Sequence, residues 1–234
     1  MPGVQPFIKS AGGKRRLLSR LLRYFPQDCS QPGIVYHELC LGGGALFFAL
    51  VAERGLHAAW LNDTNLDLCE AYRAVKNDPE GLINLLRTFE NTESFYNATR
   101  AADPVSATER HFRAARFIYL NKTGYSGLWR ENAAGQHNTP FGRYQNPKFC
   151  DARALRAAAE VLKKHIVIIT NDDVVVALKN VKAGQYAYID PPYYPVKKGS
   201  FVKYQGVGFT ITDQERLAAA AWEAAGRGVK VLLS

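Results

Sequence analysis

Residues 34 to 54 read Ile34-Val35-Tyr36-His37-Glu38-Leu39-Cys40-Leu41-Gly42-Gly43-Gly44-Ala45-Leu46-Phe47-Phe48-Ala49-Leu50-Val51-Ala52-Glu53-Arg54: an apolar run, three glycines and a second apolar run. The stretch 34–39 has the length and β-branched start of a buried strand, and the stretch from Ala45 to Arg54 has the length of a helix. A glycine turn between a strand and a helix lets a ligand approach the backbone and presents unpaired helix N–H groups to it. Residues 58–61 repeat the strand signal and end at Asn62-Asp63, and a helix pattern follows through about Lys76. A βαβα beginning predicts a parallel sheet with helices on its faces. The alternation then stops between about Asn77 and Lys163, where the chain is helical, loop-like and basic. Strand signals return at 166–170, 185–189 and 229–233. The expected fold is therefore α/β, a Rossmann-like sheet built from residues 1–76 and 164–234 and split by a helical insertion at 77–163. A basic amphipathic helix is expected at 14–24. The chain stops at Ser234 inside its last strand-like run, so it is expected either to lack a C-terminal part of the fold or to carry an exposed sheet edge.

The glycine turn narrows the ligand. A dinucleotide fingerprint needs a further glycine at the position of Phe47, and no lysine follows the glycines as a nucleoside triphosphate loop requires. Asp63, at the end of the second strand, is placed to accept hydrogen bonds from ribose hydroxyls. Asp173, after the third strand, suits either an adenine amino group or the N-cap of a helix beginning at Val174. The last strand-like run before the C-terminus but one leads into Asp190-Pro191-Pro192-Tyr193. A carboxylate, a proline carbonyl and an aromatic face are parts that hold a flat amino-bearing base, although Asp and Pro also make ordinary turns. With such a base held across the crevice from the glycine turn, S-adenosylmethionine fits better than NAD.

The chain has 234 residues, 47% of them hydrophobic and 22% charged, enough for one sizeable domain with an insertion. No apolar run reaches the roughly 18 residues of a membrane span, and the N-terminus lacks the apolar core of a secretory signal. Cys29, Cys40, Cys69 and Cys150 show no metal-ligand spacing, so no metal site is expected. Reduced, mostly buried thiols in a cytoplasmic protein are the expectation. The formal net charge is +9, and it is segregated. No acid precedes Asp28, whereas Lys9, Lys14, Arg15, Arg16, Arg20 and Arg23 lie in that stretch; residues 100–164 hold twelve Lys/Arg against five Asp/Glu; residues 191–212 hold Lys197, Lys198 and Lys203 with no acid. Residues 28–99 reverse the balance, with ten acids against four bases. Such segregation implies a polyanion-binding face.

Several blocks, in order, resemble the Dam-type (D12 class) family of DNA adenine-N6 methyltransferases. They are Pro6 to Lys14, Glu38 to Phe48, Leu61-Asn62-Asp63, Arg116 to Asn121, Asn138 to Tyr144, Asp190 to Pro195 and Gly208 to Leu217. The resemblance implies S-adenosylmethionine as cofactor, bound by Phe7, Lys14, Glu38, Gly42, Gly44, Asp63 and Asp173. It implies an adenine flipped from duplex DNA, held by Asp190, Pro191 and Tyr193, with GATC as target. It assigns the DNA face to Lys9, Arg116, Tyr125, Ser126, Leu128, Arg130, Pro140, Arg143 and Tyr144, and the third basic block adds Lys197 and Lys198. Two positions depart from the family pattern: Ser10 stands where a tryptophan is usual, and Ser126 where an asparagine is usual. The resemblance further implies a monomer from a bacterium or its phage; a catalytically silent or truncated DNA-binding protein of the same fold, or an RNA or protein-amide methyltransferase, are the alternatives.

Overall fold

The computed structural model describes residues 4–9, 14–102, 110–132, 134–192 and 209–234. Five strands form one sheet: β1 (Tyr36–Glu38), β2 (Ala58–Asn62), β3 (Ile166–Thr170), β4 (Tyr186–Ile189) and β5 (Lys230–Leu233). All are parallel, in the order β3-β2-β1-β4-β5. β1 is shorter than the 34–39 run, but its ladder does not stop at Glu38. Leu39 N donates to Tyr188 O at 3.0 Å and Leu41 N to Asn62 O at 2.9 Å. The chain leaving β1 is thus held first by β4 and then by β2, and it enters the glycine turn where the strand order reverses.

The helices are α1 (Leu18–Leu21), α2 (Ala45–Arg54), α3 (Leu66–Asn77), α4 (Pro79–Arg87), α5 (Glu93–Ala101), α6 (Arg110–Thr123), α7 (Ala152–Lys164), α8 (Val174–Lys179) and α9 (Ile211–Gly226). Most start where a side chain takes up an orphan N–H: Asn65 for α3, Asp78 for α4, Thr92 for α5, Asp151 for α7 and Asp173 for α8. At α9 Thr210 and Asp213 form a reciprocal capping box. Residues 14–24 differ from expectation. They form α1 between two 3-10 turns, Lys14–Leu17 and Leu22–Tyr24, rather than one amphipathic helix. No side chain caps α1 and no acid lies in its first turn, so nothing there supports the costly nucleation of a regular helix.

Right-handed crossovers put the helices between β1 and β3 on one face of the sheet and α8 and α9 on the other. Two core clusters record this. The larger joins Phe47 and Leu50 of α2, Tyr72 and Val75 of α3, Leu61, Val167 and Tyr188 of the sheet, and Leu82, Tyr96, Phe117 and Leu162. The smaller joins Leu39, Ala187 and Ile189 to Leu178 of α8 and Leu217 and Ala224 of α9. The segment 77–163 shares the larger core rather than having its own. α6 packs along α3, and α7 packs on α3, α4 and β3 as the crossover helix into β3.

Candidate active site at the C-terminal edge of the sheet

In doubly wound sheets ligands sit beyond the strand C-termini where the order reverses, here between β1 and β4. Register sets Glu38 beside Leu61 and Tyr188. Two residues further on, and so on the same side of the pleat, come Asp63 and Asp190. Glu38 is buried; its Oε2 accepts from Tyr36 Oη at 3.0 Å and from Phe47 N, in the first turn of α2, at 3.1 Å. Burial raises its pKa to about 8, the two hydrogen bonds opposing and the charges of Asp190 and Asp63 reinforcing the rise. Asp63 is likewise raised by burial, against hydrogen bonds from Gly42 N at 3.0 Å and Asn65 N at 2.9 Å. The Cys40 thiol between them is pushed well up by burial and by Asp63, Asp190 and Glu38. Acidic groups are thus gathered at this edge, with Glu38 holding its proton at neutral pH.

The glycine turn is braced by that same Asp63, whose bond to Gly42 N ties the end of β2 to the turn. Gly44 caps α2 in the left-handed region at φ +64°. A Cβ there would lie 2.7 Å from Tyr72 Oη, so a side chain is excluded by space as well as by conformation. Phe7 is buried with its ring centroid 4.7 Å from that of Tyr72. Asn62 does work that no motif announced. Its amide donates to Leu39 O and Asp172 O, and its Oδ1 accepts from Thr170 Oγ1 and Asp172 N, stitching the ends of β1, β2 and β3 together.

Asp190 follows β4 directly. Its Oδ1 lies 2.9 Å from Lys14 Nζ and accepts from Ser234 Oγ at 3.1 Å, and Ser234 is itself paired with the Tyr188 hydroxyl. Lys14 is therefore at the Asp190 carboxylate. Pro191 continues the same edge, while Tyr193, Lys197 and Lys198 lie outside the described residues. Asp173 caps α8 through Oδ1 and pairs with Arg216 through Oδ2 at 2.7 Å. The N-cap alternative for this residue is what the geometry records.

The second group of named residues gathers on one exposed patch. Lys9 exchanges backbone hydrogen bonds with the Asn121 amide, donates from Nζ to Lys122 O, and holds its ammonium 4.2 Å above the Tyr144 ring. Tyr144 Oη accepts from Ser126 N, and Tyr125 N donates to Pro140 O. Tyr125, Ser126, Pro140 and Arg143 are exposed, with Leu128 and Arg130 half-buried beside them. Ser126 and Arg143, at φ 55° and 54°, are the non-glycine residues with positive φ among the described residues. Strain of this kind clusters at functional sites. Arg116 is corrected. It is 6% exposed, its guanidinium donates to Thr99 O and Arg100 O, and it lies 3.3 Å from Asp67. It is a strut between α6, α5 and α3 and presents no face to a phosphate.

Among the described residues no helix is long and apolar enough to cross a membrane. Residues 10–234 match the model of the D12 class N6 adenine-specific DNA methyltransferases. The chain is 35% identical to the type II methyltransferase M1.LlaDCHI of Lactococcus lactis subsp. cremoris, over 99% of its own length and 81% of that protein's. It is 36% identical to the type II methyltransferase M.MjaIII of Methanocaldococcus jannaschii, over 99% and 84% of the two lengths. It is 32% identical to a DNA adenine methylase of Vibrio cholerae, over 100% and 82%. A parallel sheet, a braced glycine turn and an Asp-Pro-Pro edge in this order, with relatives of that similarity, make the chain a member of the D12 class of DNA adenine-N6 methyltransferases.

Proposed function

We propose that the protein transfers a methyl group from S-adenosylmethionine to the N6 of an adenine turned out of duplex DNA, within GATC. One observation carries the reading: the Asp190-Pro191 edge of β4 and the Asp63-braced glycine turn meet at the single switch point of the sheet. The residues suit the cofactor. Gly44 packs on Tyr72 Oη and Leu41 with no room for a side chain, which fixes the path of the turn. With Glu38 a neutral hydrogen-bonding neighbour, the Asp63 and Asp190 carboxylates complement a cofactor that carries a sulfonium and an ammonium. Lys14 offers the opposite charge to its carboxylate. Phe7, Gly42 and Asp63 complete the cofactor side, Asp63 toward the ribose; Asp173, engaged as a helix cap and with Arg216, is left to orient the loop beside the adenine.

When bound, S-adenosylmethionine supplies an electrophilic methyl. The protein supplies position and hydrogen-bond acceptors. The N6 amino nitrogen is a poor nucleophile because its lone pair is delocalised into the ring. The Asp190 carboxylate and the Pro191 carbonyl would accept its two N–H bonds and hold the nitrogen nearer to tetrahedral, which localises the lone pair. Tyr193 would stack on the base. Lys14, 2.9 Å from Asp190 Oδ1, neutralises that carboxylate until the base arrives. Unstacking costs a few kcal/mol, offset by stacking and by phosphate contacts from the patch around Lys9, Arg130 and Arg143. Tyr125, exposed at the tip of that patch, suits the space a flipped base leaves.

The test pairs two measurements. Asp190→Ala is expected to remove methyl transfer at least a thousandfold while S-adenosylmethionine binding, by titration calorimetry, changes less than about threefold. Equal loss of both would defeat the assignment of Asp190. Labelled S-adenosylmethionine with duplexes altered singly at each GATC position should show incorporation only into the intact site; equal incorporation into all of them would defeat the specificity.

A further inference from the structure

One buried polar group has no part in the reaction so far. Tyr72 is fully buried, and its hydroxyl has no hydrogen-bond partner. A native structure keeps few such groups, and each calls for a ligand, a water or a strained state to explain it. This one is not at a random place in the core. It faces Gly44 at the N-terminus of the ten-residue helix α2, 2.7 Å from where a Cβ would stand, with Phe7 packed on its ring. Glu38 and Asp63 act on it electrostatically, after burial itself. A phenolic oxygen can accept as well as donate, and the Asp63 carboxylate acting on it favours a cationic donor.

We propose that the Tyr72 hydroxyl is a positioning group of the cofactor site, accepting a hydrogen bond from the α-ammonium at the amino-acid end of bound S-adenosylmethionine. This rests on the cofactor reading above. Of the cofactor's two cationic centres only the ammonium carries N–H donors, and the sulfonium carries none. The hydroxyl is sealed from solvent, so the turn must part to admit a ligand atom. Three consecutive glycines make it the segment best able to do so.

Tyr72→Phe removes only the oxygen, and the proposal gives it an unusual signature. Calorimetric titration would use S-adenosylhomocysteine, which has the ammonium, and methylthioadenosine, which lacks the amino-acid end. The variant should bind S-adenosylhomocysteine roughly tenfold more weakly than the wild type and methylthioadenosine unchanged. The ligand-free variant should melt at the same temperature or higher, because an unpaired buried hydroxyl has been removed. An unchanged affinity for S-adenosylhomocysteine overturns the proposal. So does an equal loss for both ligands, which would place the hydroxyl against the nucleoside, and so does a lower ligand-free Tm with unaltered affinity. Absence of S-adenosylhomocysteine binding by the wild type would remove the cofactor reading itself and this inference with it.

Discussion

Glu38 is fixed by two hydrogen bonds at the end of β1, out of water and near two other carboxylates. Burial raises its pKa from 4.5 to about 8. The folded protein therefore keeps a proton that the unfolded chain releases above about pH 4.5. Stability is full below that pH and declines as pH rises toward 8, by an amount on the order of 4 kcal/mol for this group. Glu38→Gln keeps the neutral shape and loses the titration. Thermal melts from pH 5 to 8 should fall less steeply for the variant than for the wild type; parallel curves would mean that Glu38 is ionised throughout. Glu38 was singled out only through the resemblance of the block Glu38–Phe48 to the family, not through any local pattern. Tyr72 was not, because a tyrosine at helical spacing among Leu68, Cys69 and Val75 reads as core, and only the missing partner of its hydroxyl sets it apart. Asn62 was hidden likewise: its value lies in four hydrogen bonds to three residues at the ends of β1 and β3, which no local pattern encodes.

Elements were legible where local periodicity and caps agree. β3 came out at the expected residues and β2, β4 and β5 within one, because each is a short apolar run bounded by turn residues, the partly exposed edge strands β3 and β5 included. Residues 14–24 were misjudged because amphipathic spacing without a cap does not make a helix. The role of α6 was misjudged for another reason: sequence shows a charge and not its depth. Arg116 and Arg113 both engage Asp67 of α3, at 3.3 and 2.8 Å, so the lock between α3 and α6 is ionic as well as apolar. Arg116→Ala strands the carbonyls of Thr99 and Arg100 and weakens the hold on Asp67. The expected loss is about 2–4 kcal/mol of stability, read by denaturant unfolding. At a temperature where the variant is folded, the salt dependence of its duplex binding should match the wild type. A phosphate contact would show the reverse, with stability kept and the slope reduced by about 0.9.

At the scale of the molecule, charge and packing divide the labour. One core runs from the sheet through α3 into α4, α5 and α6, so the patch that carries Lys9, Tyr125, Ser126, Arg130, Arg143 and Tyr144 stands on the same rigid body as Asp63. Residues 6–9 join the two regions directly, since Phe7 packs on Tyr72 while Lys9 binds Asn121 and covers Tyr144. Acids dominate 28–99, where Glu38 and Asp63 lie, and bases dominate 100–164, where most of the patch lies. That segregation predicts a measurable electrostatic footprint. Each phosphate neutralised on a duplex contributes about −0.9 to the slope of log K against log salt. With Lys9, Arg130, Arg143 and one or two further bases engaged, the slope should lie near −3 to −5. Arg143 is paired with Glu93 only across an exposed contact at 3.2 Å, a pairing of little value in water, so it can exchange that partner for DNA at small cost. Arg143→Ala should bring the slope closer to zero by about 0.9, equally for duplexes with and without GATC, if the guanidinium meets a phosphate. If it reads a base edge instead, affinity should drop ten- to a hundredfold on the GATC duplex alone. A wild-type slope near zero would remove the basic patch as the DNA-binding face.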